Sequence, residues 1–493
     1  MPTLDWIGKK AVLNHHKEVP FHLLKCDPKL SVGDPGSGNL LVHADNLYAL
    51  KALLPYYAGK VKCIYIDPPY NTGNEKWIYN DAVNSPEIRE WLGKVVGGES
   101  EDLSRHDKWL CMMYPRLKLL RNFLREDGSI FVSIDDNEVS SLRFVMNEIF
   151  GQRNFVASII WQKRTSPDAR INLGPAHDYI ITYAKSIEIL KKSLNLIPMS
   201  GQRAEAYKNP DNDPRGSWAS VDLTGQTGHA TQDQFYEITA PNGKRYGPPK
   251  GRCWALAKST FDSLISDNRI WFGRSGNSRP RLKRFLSETE GTTAWTLWLK
   301  EEVGHNQEAT KELNALLGAA DMFETPKPVR LIKRILQLAT DKDSIILDSF
   351  AGSGTTGHAV LNINQEDNGN RKFILVEMDS KICKSITYKR IELAFEKCYG
   401  GAEKSTADDN KIECGFRLCE LGKPLFDEMG KITSEIRFAD LAAFVYFIQT
   451  GEPIPKLTAK KTPLLGVHNG MAVYLEYAPE IVEVKKRLLE NNG

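Results

Sequence analysis

The chain has 493 residues, of which 41% are hydrophobic and 26% are charged, and its formal net charge is +3. This length is typical of roughly three domains, and the near-balanced charge excludes a protein that is basic throughout, so any nucleic-acid surface must be local. The longest apolar run, 441–448, is too short to cross a bilayer, and the first residues do not have the pattern of a signal peptide. The eight cysteines and ten histidines lack metal-binding spacing, which predicts reduced thiols, no metal site and a cytoplasmic location.

The first candidate ligand residues lie between a short strand and a helix. Residues 1–38 are mixed in character and predict an N-terminal arm, whereas 39–43 predict the first strand. Asp45 and Asn46 follow this strand, and the apolar spacing of 47–57 predicts a helix that either residue could cap. An acidic residue at the carboxyl end of a strand can also contact a ligand in an open α/β sheet, so both roles remain open.

A second buried strand, 61–66, leads into the sequence Asp67-Pro68-Pro69-Tyr70. Each proline fixes its own φ near roughly −65° and pushes the preceding residue towards extended geometry, so the Asp67 carboxylate and the Pro68 carbonyl can point into one cleft. These two acceptors could hold the hydrogens of the exocyclic amine of adenine or cytosine, and Tyr70 could stack on a base that has left the duplex. The alternative is an ordinary turn at a strand end with an exposed aspartate.

The next segments predict alternating helices and strands. A polar loop, 71–106, follows the two prolines and could close over a substrate. After it, the apolar pattern predicts a helix over 109–124, a strand over 129–134, a helix over 140–150, and strands over 155–161 and 177–183. Strands that alternate with helices in this way predict an α/β fold with a doubly wound, mostly parallel sheet.

The middle of the chain, 186–324, differs in composition because it is irregular, rich in Gly and Pro, and interleaves basic with aromatic residues. Basic side chains neutralise phosphates, and arginine can also read base edges. We therefore predict an inserted DNA-recognition module, with a solvated charged face as the alternative. The predicted DNA contacts are Lys163, Arg164, Arg252, Arg274, Arg279 and Arg281.

The second half of the core is predicted to begin with a helix and a strand that ends at Asp348. A tight turn follows, with the spacing G-x-G-x-x-G between Gly352 and Gly357, and Glu377 ends the next strand. This pattern suits an adenosine ligand, because glycines admit close approach of the backbone and the carboxylate can bind ribose hydroxyls. A nicotinamide-dependent dehydrogenase is the rival interpretation, although such an enzyme has no use for the two-proline loop.

Taken together, these motifs resemble the β-group of DNA amino-methyltransferases, and more narrowly the modification (Mod) subunit of type III restriction-modification systems. The matching segments are 44–47, 66–73, 133–138, 325–328 and 348–356, in the order of that group. The resemblance implies a Rossmann-like fold that binds S-adenosylmethionine and methylates an adenine flipped out of double-stranded DNA. It also implies a homodimer that pairs with a restriction subunit carrying helicase and nuclease activities.

The resemblance further implies which residues bind the target base. Asp67, Pro68, Pro69 and Tyr70 would be the catalytic residues that hold the flipped adenine. Asp at the first position, where Ser is the alternative, favours adenine N6 over cytosine N4. Cytosine C5 methylation is disfavoured independently, because it needs a thiolate nucleophile and no cysteine lies in a loop beside Pro68.

The resemblance also places the cofactor along the glycine turn. The ribose of S-adenosylmethionine would lie on Glu377, its adenine near Asp45 and its carboxylate near Lys327. The complete set of cofactor residues implied is Asp45, Asn46, Lys327, Asp348, Phe350, Ala351, Gly352, Ser353, Gly354, Thr355, Thr356 and Glu377.

The predicted organisation combines a Rossmann-like core with an insertion and a small terminal domain. The segments are an N-terminal arm (1–38), the catalytic half of the core (39–185), the target-recognition insertion (186–324), the cofactor half (325–400) and a C-terminal interaction domain (401–493). We expect the two-proline loop and the glycine turn to open into one pocket. A non-catalytic DNA-binding subunit is the other class considered, and the intact two-proline motif argues against it.

Overall fold

The computed structural model describes residues 4–72, 105–167, 172–199, 205–320, 322–399, 415–427, 429–433, 436–455 and 463–476. The closing loop predicted over 71–106 lies outside these residues except at its two ends. The chain forms two compact units, one of Met1–Asn195 with Trp295–Gly493 and the other of Leu196–Ala294. In the described part of the chain, every helix is too short or too polar to serve as a membrane span.

The secondary structure elements are numbered here in chain order. The strands are β1 His22–Gly33, β2 Leu40–His43, β3 Val61–Ile66, β4 Leu124–Ile134, β5 Phe155–Gln162, β6 His177–Ala184, β7 Trp218–Asp222, β8 Thr224–Gln226, β9 Ile238–Thr239, β10 Arg245–Tyr246, β11 Arg252–Trp254, β12 Ile270–Trp271, β13 Arg281–Phe285, β14 Leu297–Trp298, β15 Ile345–Asp348, β16 Lys372–Glu377, β17 Gly415–Pro424, β18 Leu464–His468 and β19 Met471–Tyr474. The helices are α1 Lys9–Val12, α2 His15–Glu18, α3 Asn46–Tyr57, α4 Arg105–Phe123, α5 Val139–Phe150, α6 Ile187–Ser193, α7 Lys258–Ser266, α8 Lys300–Val303, α9 Asn306–Leu317, α10 Val329–Ala339, α11 Thr355–Asp367, α12 Ser380–Ile382, α13 Tyr388–Tyr399 and α14 Phe438–Thr450.

A ten-stranded sheet forms the centre of the first unit, in the order β1-β17-β2-β16-β15-β3-β4-β6-β5-β14. The strands from β17 through β2, β16, β15 and β3 to β4 are parallel neighbours, as are β5 and β14. Among the described strands of this sheet, antiparallel pairing is confined to β1 with β17 and to β6 with its two neighbours. The predicted doubly wound, mostly parallel α/β sheet is confirmed.

The central strands are buried because helices cover both faces of the sheet. All six residues of β3 are buried, as expected for an inner parallel strand. Apolar residues of α3 and α4, such as Leu50 and Leu117, pack in one layer. Residues of α10 and α13, such as Ile332 and Ile391, pack in a second layer. The two layers fix the central strands, so the loops at their carboxyl ends have rigid supports.

The segment predicted as an N-terminal arm, 1–38, belongs to the core of the first unit. Its strand β1 pairs with β17, which lies beside β2, and Trp6, Val12 and Val19 are buried. The sequence did not indicate this because β1 is an edge strand with many exposed residues and no apolar alternation. Since β17 belongs to the same sheet, the predicted boundary at 401 also differs from the structure.

The prediction that all cysteines are reduced is wrong for one pair. Cys26 of β1 and Cys419 of β17 lie directly opposite each other in the antiparallel pair and form a disulfide. The two residues are 393 positions apart, so spacing rules could not reveal the pairing. Another cysteine, Cys414, lies outside the described residues.

The second unit, Leu196–Ala294, has its own small core. Its strands form the sheet β12-β13-β7 and the pairs β8 with β11 and β9 with β10. Trp254, Phe261 and Ile270 are buried together at its centre. The unit is shorter than the predicted insertion, 186–324, because β14 pairs with β5 in the main sheet and Leu313 of α9 packs against Ile382.

Candidate active site

The candidate site lies between two neighbouring strands whose following strands are added on opposite sides of the sheet. Strands β3 and β15 are parallel neighbours, with Ile64 opposite Leu347. After β3 the sheet continues to β4 on one side, and after β15 it continues to β16 on the other. In open α/β sheets, such a divergence leaves a crevice outside the carboxyl ends of the strands, where ligands bind.

An open cleft occupies this crevice. Its lining consists of Tyr65, Asp67, Phe323, Thr325, Pro326, Lys327, Asp348, Phe350, Ala351, Gly352, Ser353, Thr355 and Thr356. The two-proline loop and the glycine turn therefore reach one cleft, as the sequence led us to expect. Most of the functional groups that line the cleft are polar.

Asp67 and Lys327 form the charged centre of the cleft. The Lys327 ammonium donates a hydrogen bond to Oδ2 of Asp67, and the two side chains are 9% and 23% exposed. The same ammonium lies 5.2 Å from the centre of the Tyr70 ring. Burial and the negative charge of Asp67 raise the pKa of the Tyr70 hydroxyl well above its ordinary value, so this hydroxyl stays protonated.

The two-proline loop is anchored by residues that the sequence did not single out. Trp109 Nε1 donates to the Pro69 carbonyl at 2.7 Å. Asn71, with φ of 60°, donates through Nδ2 to the buried carboxylate of Glu138, which also bonds the His106 ring at 2.6 Å. A left-handed non-glycine residue at the loop end indicates that the surroundings impose this conformation. The available signal was Glu138, which closes the matching segment 133–138.

The glycine turn needs its glycines for conformation and for packing. Gly352 and Gly354 have φ values of 51° and 79°, in the left-handed region that favours glycine. A Cβ at Gly357 would lie 2.5 Å from Cδ1 of Ile391, so this glycine lets α11 approach α13 closely. The turn is therefore a compact cradle, and helix α11 begins directly after it at Thr355.

A buried arginine, Arg390 of α13, stabilises the glycine turn through hydrogen bonds. Its Nη1 donates to the hydroxyls of Ser353 and Thr355 at 2.9 and 2.8 Å. Burial lowers the pKa of this guanidinium to about 10. Thr387 adds a 2.6 Å hydrogen bond from its hydroxyl to the Gly352 carbonyl. Sequence reasoning missed Arg390 because a basic residue on an amphipathic helix is usually exposed, and it missed Thr387 because this residue lies outside every motif.

The carboxylates of Asp348 and Glu377 stabilise the glycine turn by accepting hydrogen bonds from it. Asp348 accepts from the Phe350 N–H at 3.0 Å and from the Thr356 hydroxyl at 2.5 Å. Burial raises the pKa of Asp348 to about 7. Glu377 is buried and accepts from the backbone N–H groups of Gly352 and Asp379. Both residues were predicted to bind the cofactor, and the structure places them as braces of the loop that would do so.

Asp45 and Asn46 connect the start of α3 to two neighbouring elements. Asp45 caps the helix by accepting from the Leu47 N–H at 2.7 Å, and it bonds Arg116 through both oxygens at 3.1 Å. Asn46 donates to the Ser349 carbonyl at 2.8 Å. Neither residue lines the cleft described above, so the contact of Asp45 with the adenine of the cofactor and the assignment of Asn46 to the cofactor site stay predictions.

The predicted DNA contacts divide between the two units. Arg164 is exposed, but Lys163 donates to the buried carboxylate of Asp178 at 2.5 Å and is not an exposed cation. The other four are exposed arginines of the second unit, namely Arg252, Arg274, Arg279 and Arg281. Arg252 lies 3.8 Å from Asp222, and Arg281 donates to the hydroxyl of Ser220. The structure therefore keeps these four accessible within their own unit.

Comparisons with known proteins identify relatives over most of the chain. A family model described as DNA methylase, of the N6/N4 methyltransferase type, matches residues 61–389. The type III restriction-modification enzyme StyLTI Mod subunit of Salmonella typhimurium is 36% identical, covering 85% of this chain and 66% of its own. The EcoPI Mod subunit of Escherichia phage P1 is 31% identical, covering 91% and 75%. The type II methyltransferase M.KpnI of Klebsiella pneumoniae is 30% identical, covering 73% and 85%.

Proposed function

Because the chain belongs to the DNA methylase family whose model matches residues 61–389, we propose that it transfers a methyl group from S-adenosylmethionine to adenine N6 in duplex DNA. We also propose that it acts as the modification subunit of a type III restriction-modification system. The second part is supported by the Mod subunits among its relatives. The matched region spans 66% of the StyLTI subunit. The activity, substrate and partners of such a subunit are therefore proposals for this chain.

One observation carries the proposal: Asp67 and the glycine turn line the same cleft. The exocyclic amine of adenine is a poor nucleophile because its lone pair is delocalised into the ring. A methyl transferase for this amine needs hydrogen-bond acceptors beside a binding site for the methyl donor. The ends of β3 and β15 supply these two parts next to each other.

The cleft fits S-adenosylmethionine by the character of its lining. Lys327 offers a cation for a carboxylate, and the glycines of the turn let a ligand approach the backbone. When bound, the cofactor supplies a methyl carbon whose bond to sulfur breaks as the amine forms the new carbon–nitrogen bond.

Asp67 is suited to receive the amine. Its Oδ1 is buried and accepts no hydrogen bond of regular geometry among the described residues, and the Tyr70 hydroxyl interacts with the same carboxylate. Oδ2 is bonded to Lys327, so that pair must weaken before both oxygens face a substrate. The Pro68 carbonyl is the second acceptor, and the half-buried Tyr70 ring offers a face for stacking. Asp67, rather than Ser, supports adenine N6 over cytosine N4.

Partners and location follow the same proposal. A type III modification subunit would bind DNA, form a homodimer and pair with a restriction subunit that carries helicase and nuclease activities. The names of the relatives support an association with a restriction enzyme. The second unit, with its exposed arginines, is the proposed site of DNA recognition, and the proposed location is cytoplasmic.

The test is a methyl-transfer assay with labelled S-adenosylmethionine and mixed-sequence duplex DNA, followed by nucleoside analysis. We expect label in N6-methyladenine, and a loss of at least about 100-fold in the Asp67→Ala variant with cofactor affinity retained, because Asp67 is proposed to bind the base. Asp343→Ala is the matched control, because it removes an exposed carboxylate before β15. Label in N4-methylcytosine would move the substrate to cytosine, and no label in DNA would reject the proposal.

A further inference from the structure

Lys327 connects the two sides of the cleft. Its backbone is held on the side of the glycine turn, because the Lys327 carbonyl accepts a hydrogen bond from the Thr355 hydroxyl at 3.2 Å, and Arg390 donates to the same hydroxyl at 2.8 Å. The Lys327 side chain reaches the other side, where its ammonium donates to Oδ2 of Asp67 and lies 5.2 Å from the centre of the Tyr70 ring. One residue therefore contacts both the loop proposed to bind the base and the turn proposed to bind the cofactor.

The ammonium group of Lys327 needs a negative partner. Only 9% of the Lys327 side chain is exposed, and a buried charge that loses its counter-ion strongly destabilises a protein. Asp67 supplies this counter-ion through one of the two oxygens that could accept from the target amine. Asp67 can therefore offer both oxygens to the amine only when another anion approaches Lys327.

The carboxylate of S-adenosylmethionine is an anion that meets this need. Lys327 is the single basic residue among the described residues that line the cleft, so a cofactor in the cleft finds there the cation for its carboxylate. The carboxylates of Asp67 and of the cofactor then compete for one ammonium group. The Asp67 side chain is 23% exposed, so water and the target base can reach it when it leaves Lys327.

We propose that Lys327 is exchanged between these two carboxylates: the carboxylate of the cofactor takes Lys327 from Asp67, and Asp67 is thereby released to the target amine. This inference rests on the proposed function. It makes the binding of the cofactor and the binding of the target base mutually favourable, because a coupling between two sites acts equally in both directions. Asp67 then holds the base firmly only when the methyl donor is in place.

The first experiment measures the binding of S-adenosylhomocysteine and of its decarboxylated form to the full-length protein by calorimetry. The two compounds differ only in the carboxylate, and neither carries the methyl group that is transferred. In Asp67→Asn, we expect the dissociation constant for S-adenosylhomocysteine to fall about tenfold, as it would if Asp67 occupies Lys327 about nine-tenths of the time, and the constant for the decarboxylated form to stay within about threefold. Loss of the Asp67 charge should therefore strengthen cofactor binding and not merely preserve it.

Lys327→Met completes a double-mutant cycle of binding. Alone, it should raise the dissociation constant for S-adenosylhomocysteine about tenfold and change that for the decarboxylated form by less than about threefold. In the double variant, Asp67→Asn should have no further effect on either constant, because the ammonium group that the carboxylates compete for is gone. The two changes are therefore expected to be non-additive.

Asp127→Asn is the matched control. Asp127 forms an ion pair with Lys62 at 2.8 Å, and the two side chains are 21% and 0% exposed, close to the values for Asp67 and Lys327. Neither residue of this second pair lines the cleft. The control should lose stability but leave both dissociation constants unchanged. Asp67→Ser, which also removes the negative charge, repeats the measurement if Asp67→Asn does not fold.

The second experiment compares two methyl donors in single turnovers on mixed-sequence duplex DNA. S-adenosylmethionine and its decarboxylated form carry the same methyl group on the same sulfonium, but only the first has a carboxylate that can take Lys327 from Asp67. At saturating donor, we expect the unaltered protein to use the decarboxylated donor about tenfold more slowly. In Lys327→Met this difference should disappear, because Asp67 is then released with either donor.

The outcomes separate the exchange from the proposed function. An affinity for S-adenosylhomocysteine that is unchanged or lower in Asp67→Asn would show that Asp67 does not compete for Lys327 and would overturn the inference. Equal effects of this change on both compounds would also overturn it, because the carboxylate would then have no part. Equal rates with the two donors in the unaltered protein would overturn the release of Asp67. If binding behaves as expected but no methyl group reaches DNA, the exchange stands and the proposed function fails.

Discussion

The loops after β3 and β15 begin alike, with an aspartate at the end of a buried parallel strand. The two aspartates nevertheless have different roles. Asp67 is partly exposed, and its carboxylate is bonded to the side chain of Lys327 in the open cleft. Asp348 is fully buried, and both of its oxygens are bonded within its own loop. One carboxylate can exchange its partner for a ligand, whereas the other stabilises the loop that carries it.

The contacts that hold the two loops in place also differ. The two-proline loop is fixed through its ends, by Trp109 at Pro69 and by Glu138 at Asn71. This leaves the side chains at its tip available. The glycine turn is fixed throughout by Arg390 and by other buried groups beneath it. We conclude that changes to the first loop should alter the rate of transfer, and changes to the second should alter stability and cofactor binding.

The largest effect expected from this comparison is a pH dependence of stability due to Asp348. Its pKa is about 7 in the folded protein and about 3.9 in the unfolded chain. The folded state therefore binds this proton more tightly, so the contribution of Asp348 to the free energy of unfolding falls by about 4 kcal/mol as the pH rises from about 4 to 7.

Urea unfolding between pH 4 and pH 8 measures this dependence. We compare the protein with Asp348→Asn, in which the side chain cannot ionise. The stability of the variant relative to the protein should rise steadily over this range and then level off above pH 7. The exposed Asp343→Asn is the control and should show no such trend. A constant difference between the protein and Asp348→Asn would mean that Asp348 titrates normally and that its burial has little influence.

Glu138→Ala tests the anchoring of the two-proline loop. Loss of its carboxylate removes one of the two acceptors of the Asn71 side-chain amide and leaves the Arg105 carbonyl as the other. We expect methyl transfer to fall about 100-fold, because the loop tip then moves relative to the cofactor. Cofactor affinity should change little. Single-turnover rates and binding titrations measure both quantities.

Two further variants make this test specific. Glu138→Gln keeps an acceptor for Asn71 and should retain more activity than Glu138→Ala. Glu148→Ala breaks bonds to Lys9 and Tyr114, away from the cleft, and should leave the rate unchanged. Equal losses in cofactor affinity and in rate would contradict the separation of roles between the two loops.

The parts of the fold that the sequence could predict are those with a local signal. The strand before Asp67 is a continuous apolar run stopped by prolines, and the glycine turn has a fixed spacing between strand and helix. Both loops follow strands of one parallel sheet, so their shared cleft could be expected from topology. The apolar strand and the glycine spacing each depend on residues that are close together in the sequence.

The parts that could not be predicted depend on contacts between distant segments. Arg390 reaches Ser353 across 37 positions, and its position on an amphipathic helix does not indicate burial. Lys163 has the charge of a DNA contact, and only the return of β6 brings Asp178 to it. The edge strand β1 has no apolar alternation because none of its residues is fully buried. In each case the residue type is compatible with a surface position, and the fold decides otherwise.

Arg390→Met gives the smallest of the expected effects and tests the glycine turn. The change removes the donor to Ser353 and Thr355, so the turn loses part of its support while apolar volume is kept. We expect the dissociation constant for S-adenosylmethionine to rise about tenfold, which corresponds to about 1.4 kcal/mol. The transfer rate at saturating cofactor should stay within about threefold, because Asp67 and its anchors are untouched. Arg371→Met is the matched control, since Arg371 is also buried and donates to a threonine hydroxyl, that of Thr340, but lies before β16 and does not line the cleft. Equal losses of stability in both variants, with no change in either dissociation constant, would show that the turn is not the cofactor cradle. The contrast between the two loops would then be only a difference in burial.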